Sequence, residues 1–203
     1  MEPAEESATA ATAGRKAERA GWRSLLWWPT LGGLLFAAFV SIDMFTGEES
    51  GRDIAPVVAA SGLVYLAAAA LKHRPTAWIV FLVSVVVITA AKLGWAQFDA
   101  TWALLGLAGL FLVYGLARGA MRPSYGLPLQ TIAMAGFGAI AGIALYVDET
   151  VGAYLVAAGL LAHAGWDFYH HQVNRVVGRS MAEFCFVLDV ALALAILTTT
   201  IRG

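Results

Sequence analysis

Seven stretches of 17 to 21 mostly apolar residues constrain the fold of this chain more than any other feature. A helix that crosses the roughly 30 Å hydrocarbon layer of a membrane needs about 20 such residues, and it must satisfy its backbone hydrogen bonds internally. The stretches lie at residues 25–45, 54–71, 76–95, 101–117, 128–147, 150–170 and 182–201. The sequence therefore predicts an all-α, polytopic membrane protein with seven transmembrane helices.

The amino-acid composition is also typical of a membrane protein. Of the 203 residues, 60% are hydrophobic and only 13% are charged, whereas soluble domains average about 45–50% and about 25%. The formal net charge of −1 offers no surface for a polyanion, so we expect no nucleic-acid partner. The bilayer is the expected partner, and a second copy or another membrane subunit could accompany it. A single cysteine, Cys185, excludes an internal disulfide.

The chain divides into a short tail and one membrane domain. Residues 1–22 carry no large apolar side chain between Met1 and Trp22, so we predict a disordered cytoplasmic tail. Residues 23–203 form the predicted seven-helix domain. The segment that ends at His73 resembles the segment that ends at His170, which suggests a weak parallel repeat of three helices on each side of the fourth.

Basic residues alternate between the two sides of the predicted membrane domain. Ten of the thirteen lie before the first span or after the second, fourth and sixth spans, and the exceptions are Arg52, Lys92 and Arg202. Lysine and arginine near span ends favour the cytoplasmic side. This pattern predicts a cytoplasmic N-terminus and an external C-terminus, in a cell membrane of the bacterial inner-membrane type.

Ionisable residues persist inside the predicted sixth and seventh helices. Their cost in a bilayer makes each of them a candidate for function. His163, Asp167, His170 and His171 are spaced i, i+4, i+7 and i+8, which places them on one face of the sixth helix. Asp189 lies in the middle of the seventh helix, where no helix cap explains it.

The short connection between these helices makes them antiparallel neighbours. At 1.5 Å per residue, His163 and Asp189 each lie about 12 to 13 Å from that connection. We therefore predict that His163 pairs with Asp189, that Asp167 lies level with Cys185 and pairs with it, and that His170 and His171 lie at an entrance. Ser180 and Glu183 match a capping box, which predicts that the seventh helix begins after Ser180.

Three functions are compatible with this polar set. In the first, the protein handles a solute or cation in a transporter-like or proton-coupled way. His163 and Asp189 would be the pair that exchanges protons, and Asp167 would assist them. His170 and His171 would lie at the entrance. In the second, His163, Asp167, Cys185 and Asp189 supply ligands for zinc in a membrane-embedded hydrolase. In the third, these residues only join helices in a structural or accessory subunit. The sequence assigns no catalytic residue and leaves open whether the protein is an enzyme.

Overall fold

The computed structural model of the protein describes residues 27–95 and 98–202. Within these ranges the chain forms seven α-helices and one short 3-10 helix, and no strand. The α-helices are α1 (Trp28–Thr46), α2 (Ala55–Leu71), α3 (Thr76–Lys92), α4 (Ala100–Ala117), α5 (Leu127–Ala144), α6 (Glu149–Val173) and α7 (Arg179–Arg202). The 3-10 helix, Gly51–Ile54, leads directly into α2. The predicted tail, residues 1–22, lies outside the described residues.

The all-α architecture and the seven helices are confirmed. Five helices are long and apolar enough to cross a membrane by length and composition: α1, the 3-10 helix with α2, α4, α5 and α7. Helix α3 is equally apolar but has only 17 residues. Helix α6 is the longest at 25 residues and is not among the five, because polar residues such as His163 and Asp167 reduce its hydropathy.

Helix α2 is the centre of the bundle. Nearly all of its residues are buried, from Ala55 to Ala70, and it packs against α3, α4, α5 and α6. Small residues allow this close packing: a Cβ at Gly62 would lie 2.9 Å from the sulfur of Met134 on α5. A helix that is apolar all round belongs in the interior of a bundle, and the position of α2 follows from that rule.

Helices α1, α6 and α7 form the second part of the bundle. Helix α7 packs along both α6 and α1. At Gly33 the backbones of α1 and α7 approach so closely that a Cβ would lie 2.8 Å from the carbonyl oxygen of Phe184. This contact allows α7 to lie between α1 and α6, where its buried face includes Cys185 and Asp189.

The loops at one end of the bundle are mainly basic and those at the other end mainly acidic, as the alternation of basic residues predicts. We call the first set, residues 72–75, 118–126 and 174–178, the basic end; there Arg74 Nε donates to the carbonyl oxygen of Arg175 over 2.9 Å. We call the second set, residues 47–54, 93–95, 98–99 and 145–148, the acidic end; there Lys92, at the last position of α3, forms ion pairs with Asp43 and Glu49.

Candidate functional site

His163, Asp167 and Asp189 form one buried cluster, which we call the His–Asp centre. His163 and Asp167 lie one turn apart on α6, and Asp189 reaches them from the antiparallel α7; all three side chains are fully buried. His163 Nδ1 lies 2.7 Å from Asp189 Oδ2 and 3.2 Å from Asp167 Oδ2. The predicted pairing of His163 with Asp189 is therefore present in the structure.

A tyrosine from the central helix completes the centre. The Tyr65 hydroxyl donates a 2.5 Å hydrogen bond to Asp167 Oδ1, and its ring packs edge-on against His163 with a centroid distance of 5.3 Å. Ser61, one turn earlier on α2, lies close to the Asp189 carboxylate. Sequence reasoning missed both residues. Their only signal was a hydroxyl pair spaced i, i+4 within an otherwise apolar helix.

Several polar atoms of the centre have no hydrogen-bond partner. Among the described residues, these are His163 Nε2, Asp189 Oδ1 and Asp167 Oδ2, the last of which keeps only its 3.2 Å ion contact with His163 Nδ1. Buried polar atoms are paired in the great majority of proteins, so three unpaired atoms within one cluster need a physical reason. One donor atom from each of the three residues can be chosen so that all lie within 4.8 Å of one another. This spacing allows one small cation to contact all three residues.

His170 belongs to a different and self-contained network. Its side chain is only 1% exposed, so the structure does not bear out its predicted place at an open entrance. His170 Nδ1 lies 3.0 Å from the carbonyl oxygen of Trp166, which requires Nδ1 to donate. His170 Nε2 then accepts from the Gln130 amide over 3.1 Å, and Gln130 Oε1 accepts from Trp166 Nε1. These bonds satisfy a neutral His170 without a ligand.

His171 and Glu183 lie away from the centre. The His171 side chain is 38% exposed, and its Nε2 is 4.0 Å from Glu183 Oε2. The predicted capping box is wrong, because α7 begins at Arg179 and so includes Ser180. Glu183 Oε1 instead accepts a 2.6 Å hydrogen bond from the Thr30 hydroxyl of α1.

Cys185 is buried on α7, one turn before Asp189. The predicted pairing with Asp167 is replaced, because Asp167 turns its two oxygens towards Tyr65 and His163. Within the described part of the chain, the group that could hold a metal ion comprises His163, Asp167 and Asp189, without Cys185.

No protein-family model, curated protein or solved structure matches the chain.

Proposed function

We propose that the chain is a membrane protein that handles a divalent cation in exchange for protons, with His163, Asp167 and Asp189 as its binding residues. One observation carries the proposal: donor atoms from an imidazole and two carboxylates lie within 4.8 Å of one another in a fully buried site. Seven membrane crossings with a cytoplasmic N-terminus, in a bacterial-type inner membrane, belong to the same proposal. The segregation of charged loops supports them.

The charge balance of the centre supports a cation. Two carboxylates in one dry site cannot both remain ionised without compensating positive charge. A protonated His163 with one protonated aspartate gives a neutral centre, and so does a divalent ion with a neutral His163 and two aspartates. Replacing the first state by the second releases two protons. The same residues can therefore bind either form of positive charge.

The donor set favours zinc among the common divalent ions. Imidazole nitrogen and carboxylate oxygen are ordinary zinc ligands at about 2.0 to 2.2 Å, whereas magnesium and calcium prefer oxygen donors alone. Tyr65 supports the site, because its hydrogen bond to Asp167 fixes the orientation of one carboxylate.

Metal analysis of the detergent-purified full-length chain tests the binding step. We expect one zinc per chain, and less than a tenth of that in His163→Ala and Asp189→Asn. Cys185→Ala, a buried change on the same helix, is the matched control and should retain the metal. Calorimetric titration in two buffers of different ionisation enthalpy should give about two protons released per zinc. Absence of zinc above background, or equal zinc in all variants, contradicts the proposal.

Movement of the ion is tested separately in proteoliposomes. With a zinc-sensitive dye and a pH-sensitive dye enclosed, a zinc gradient should drive zinc one way and protons the other, and Asp189→Asn should abolish both signals. Stoichiometric zinc without any flux would reject transport while retaining the metal site.

The three-ligand arrangement also favours a second candidate, a zinc hydrolase embedded in the membrane. Catalytic zinc sites use three protein ligands and leave the fourth position for water. Zinc-dependent cleavage of ester or amide probes, lost in His163→Ala and retained in Cys185→Ala, would support this candidate. A purely structural centre predicts neither zinc nor any activity lost in these variants.

A further inference from the structure

A cavity of about 730 Å³ lies between α1 and α3, apart from the His–Asp centre. None of the three residues of the centre lines it. Its walls are apolar side chains of α1, α2, α3 and α7, among them Phe39, Val57, Ile88 and Leu188. Its volume is within the range of about 300 to 1,000 Å³ that is typical of ligand sites.

Contacts between α1 and α3 border the cavity at each end. Towards the basic end, Phe36 and Phe81 meet edge-to-face at a centroid distance of 5.5 Å. At the acidic end, Lys92 pairs with Asp43 and Glu49. Phe81 and Lys92 are eleven residues apart on α3, so the cavity extends over about 16 Å. Half of the hydrocarbon thickness of a bilayer is about 15 Å. The cavity therefore matches the depth of one leaflet.

The rim at the acidic end determines which headgroup fits. Four carboxylates and one ammonium line it, from Asp43, Glu49, Asp53, Asp99 and Lys92, which leaves a formal charge of −3. Lys92 is already paired with two of the acids. An anionic headgroup is repelled by this rim, whereas an ammonium group complements it.

We propose that this cavity binds one aminophospholipid, with an acyl chain between α1 and α3 and the headgroup ammonium at the acidic rim. The apolar walls, the one-leaflet length and the charge of the rim each point to that occupant. The inference does not depend on the proposed function, because the lipid and the His–Asp centre use different residues.

Native mass spectrometry of the full-length chain tests the proposal with two lipids. Delipidated protein is mixed with equal amounts of phosphatidylethanolamine and phosphatidylglycerol of the same acyl chains. We expect a single phosphatidylethanolamine adduct that survives activation, at least fivefold more abundant than the phosphatidylglycerol adduct. Equal retention of the two lipids, or no retained lipid, overturns the proposal and leaves only unselective surface lipid. This comparison needs no variant.

A matched pair of variants tests the location. Val57→Trp fills the cavity, whereas Val86→Trp adds the same bulk on an exposed face of α3 that does not line it. We expect Val57→Trp to lose the adduct at least tenfold and Val86→Trp to retain it. If Val57→Trp does not give monodisperse protein, Ile88→Trp, on the opposite wall, replaces it. Retention in a folded cavity variant, or equal loss in Val86→Trp, overturns the assignment of the site.

Discussion

Replacing Tyr65 by phenylalanine isolates the contribution of a single hydroxyl to the His–Asp centre. The ring stays, and with it the edge-on contacts with His163 and His170 at 5.3 and 4.7 Å. Only the 2.5 Å hydrogen bond to Asp167 is lost. Asp167 would then keep only the 3.2 Å contact of Oδ2 with His163 Nδ1, and its carboxylate could rotate away from the other donor atoms.

The size of the effect follows from what the hydroxyl supports. Partners that orient a metal ligand are typically worth about 10- to 100-fold in metal affinity, which corresponds to about 1.4 to 2.7 kcal/mol. Hydrogen bonds between membrane helices contribute less to stability, about 0.6 kcal/mol on average and up to about 1.7. We therefore expect Tyr65→Phe to weaken zinc binding 10- to 100-fold while reducing the free energy of unfolding by less than about 2 kcal/mol.

Competition titration with a zinc chelator measures the affinity, and reversible unfolding in mixed detergent measures the stability. Tyr154→Phe, on the exposed side of α6, is the control and should change neither quantity. If Tyr65→Phe lowers stability but leaves zinc affinity unchanged, Tyr65 only joins helices and the reasoning about Asp167 is wrong.

Two further predictions concern the packing around the centre. Gln130→Leu leaves the buried His170 Nε2 and the partly buried Trp166 Nε1 without their Gln130 partner, so we expect a loss of about 1 to 3 kcal/mol in unfolding free energy. Zinc binding should be unchanged, and Thr131→Val, which removes only a bond within its own helix, should have little effect on either measurement. Gly33→Ala should destabilise the bundle by about 1 to 3 kcal/mol, because the new Cβ meets backbone of α7 at Phe184. Gly106→Ala meets nothing within 4 Å and should be neutral or stabilising by up to about 1 kcal/mol in thermal unfolding.

The helices and half of the centre could be predicted from the sequence because they depend on local information. Span length, loop charge and the short connection after α6 together bring His163 and Asp189 to the same depth. Distances along two adjacent antiparallel helices need no knowledge of the rest of the bundle.

The remaining partners could not be predicted, because they come from helices distant in the chain. Tyr65 is 102 residues from Asp167, and Gln130 is 40 residues from His170. Helix α2 is apolar apart from Ser61 and Tyr65, and a hydroxyl pair alone does not indicate which neighbouring helix its face turns towards. The pairing of Asp167 with Cys185 failed for the same reason: two residues at equal depth are compatible with contact, but Tyr65 from a third helix takes that position.

The cost of two buried aspartates argues against a purely structural role for the centre. Insertion scales assign about 2.5 to 3.5 kcal/mol to a charged aspartate near the middle of a membrane helix, or about 5 to 7 kcal/mol for Asp167 and Asp189 together. Three close contacts hold the centre: Tyr65 to Asp167, and His163 to each aspartate. At about 0.6 kcal/mol each, these contacts return about 2 kcal/mol. Positive charge at the centre, carried by a protonated His163 or by a bound cation, reduces this cost. Under the proposed function a divalent cation supplies that charge, whereas the packing of α6 on α7 alone gives no reason for two buried carboxylates.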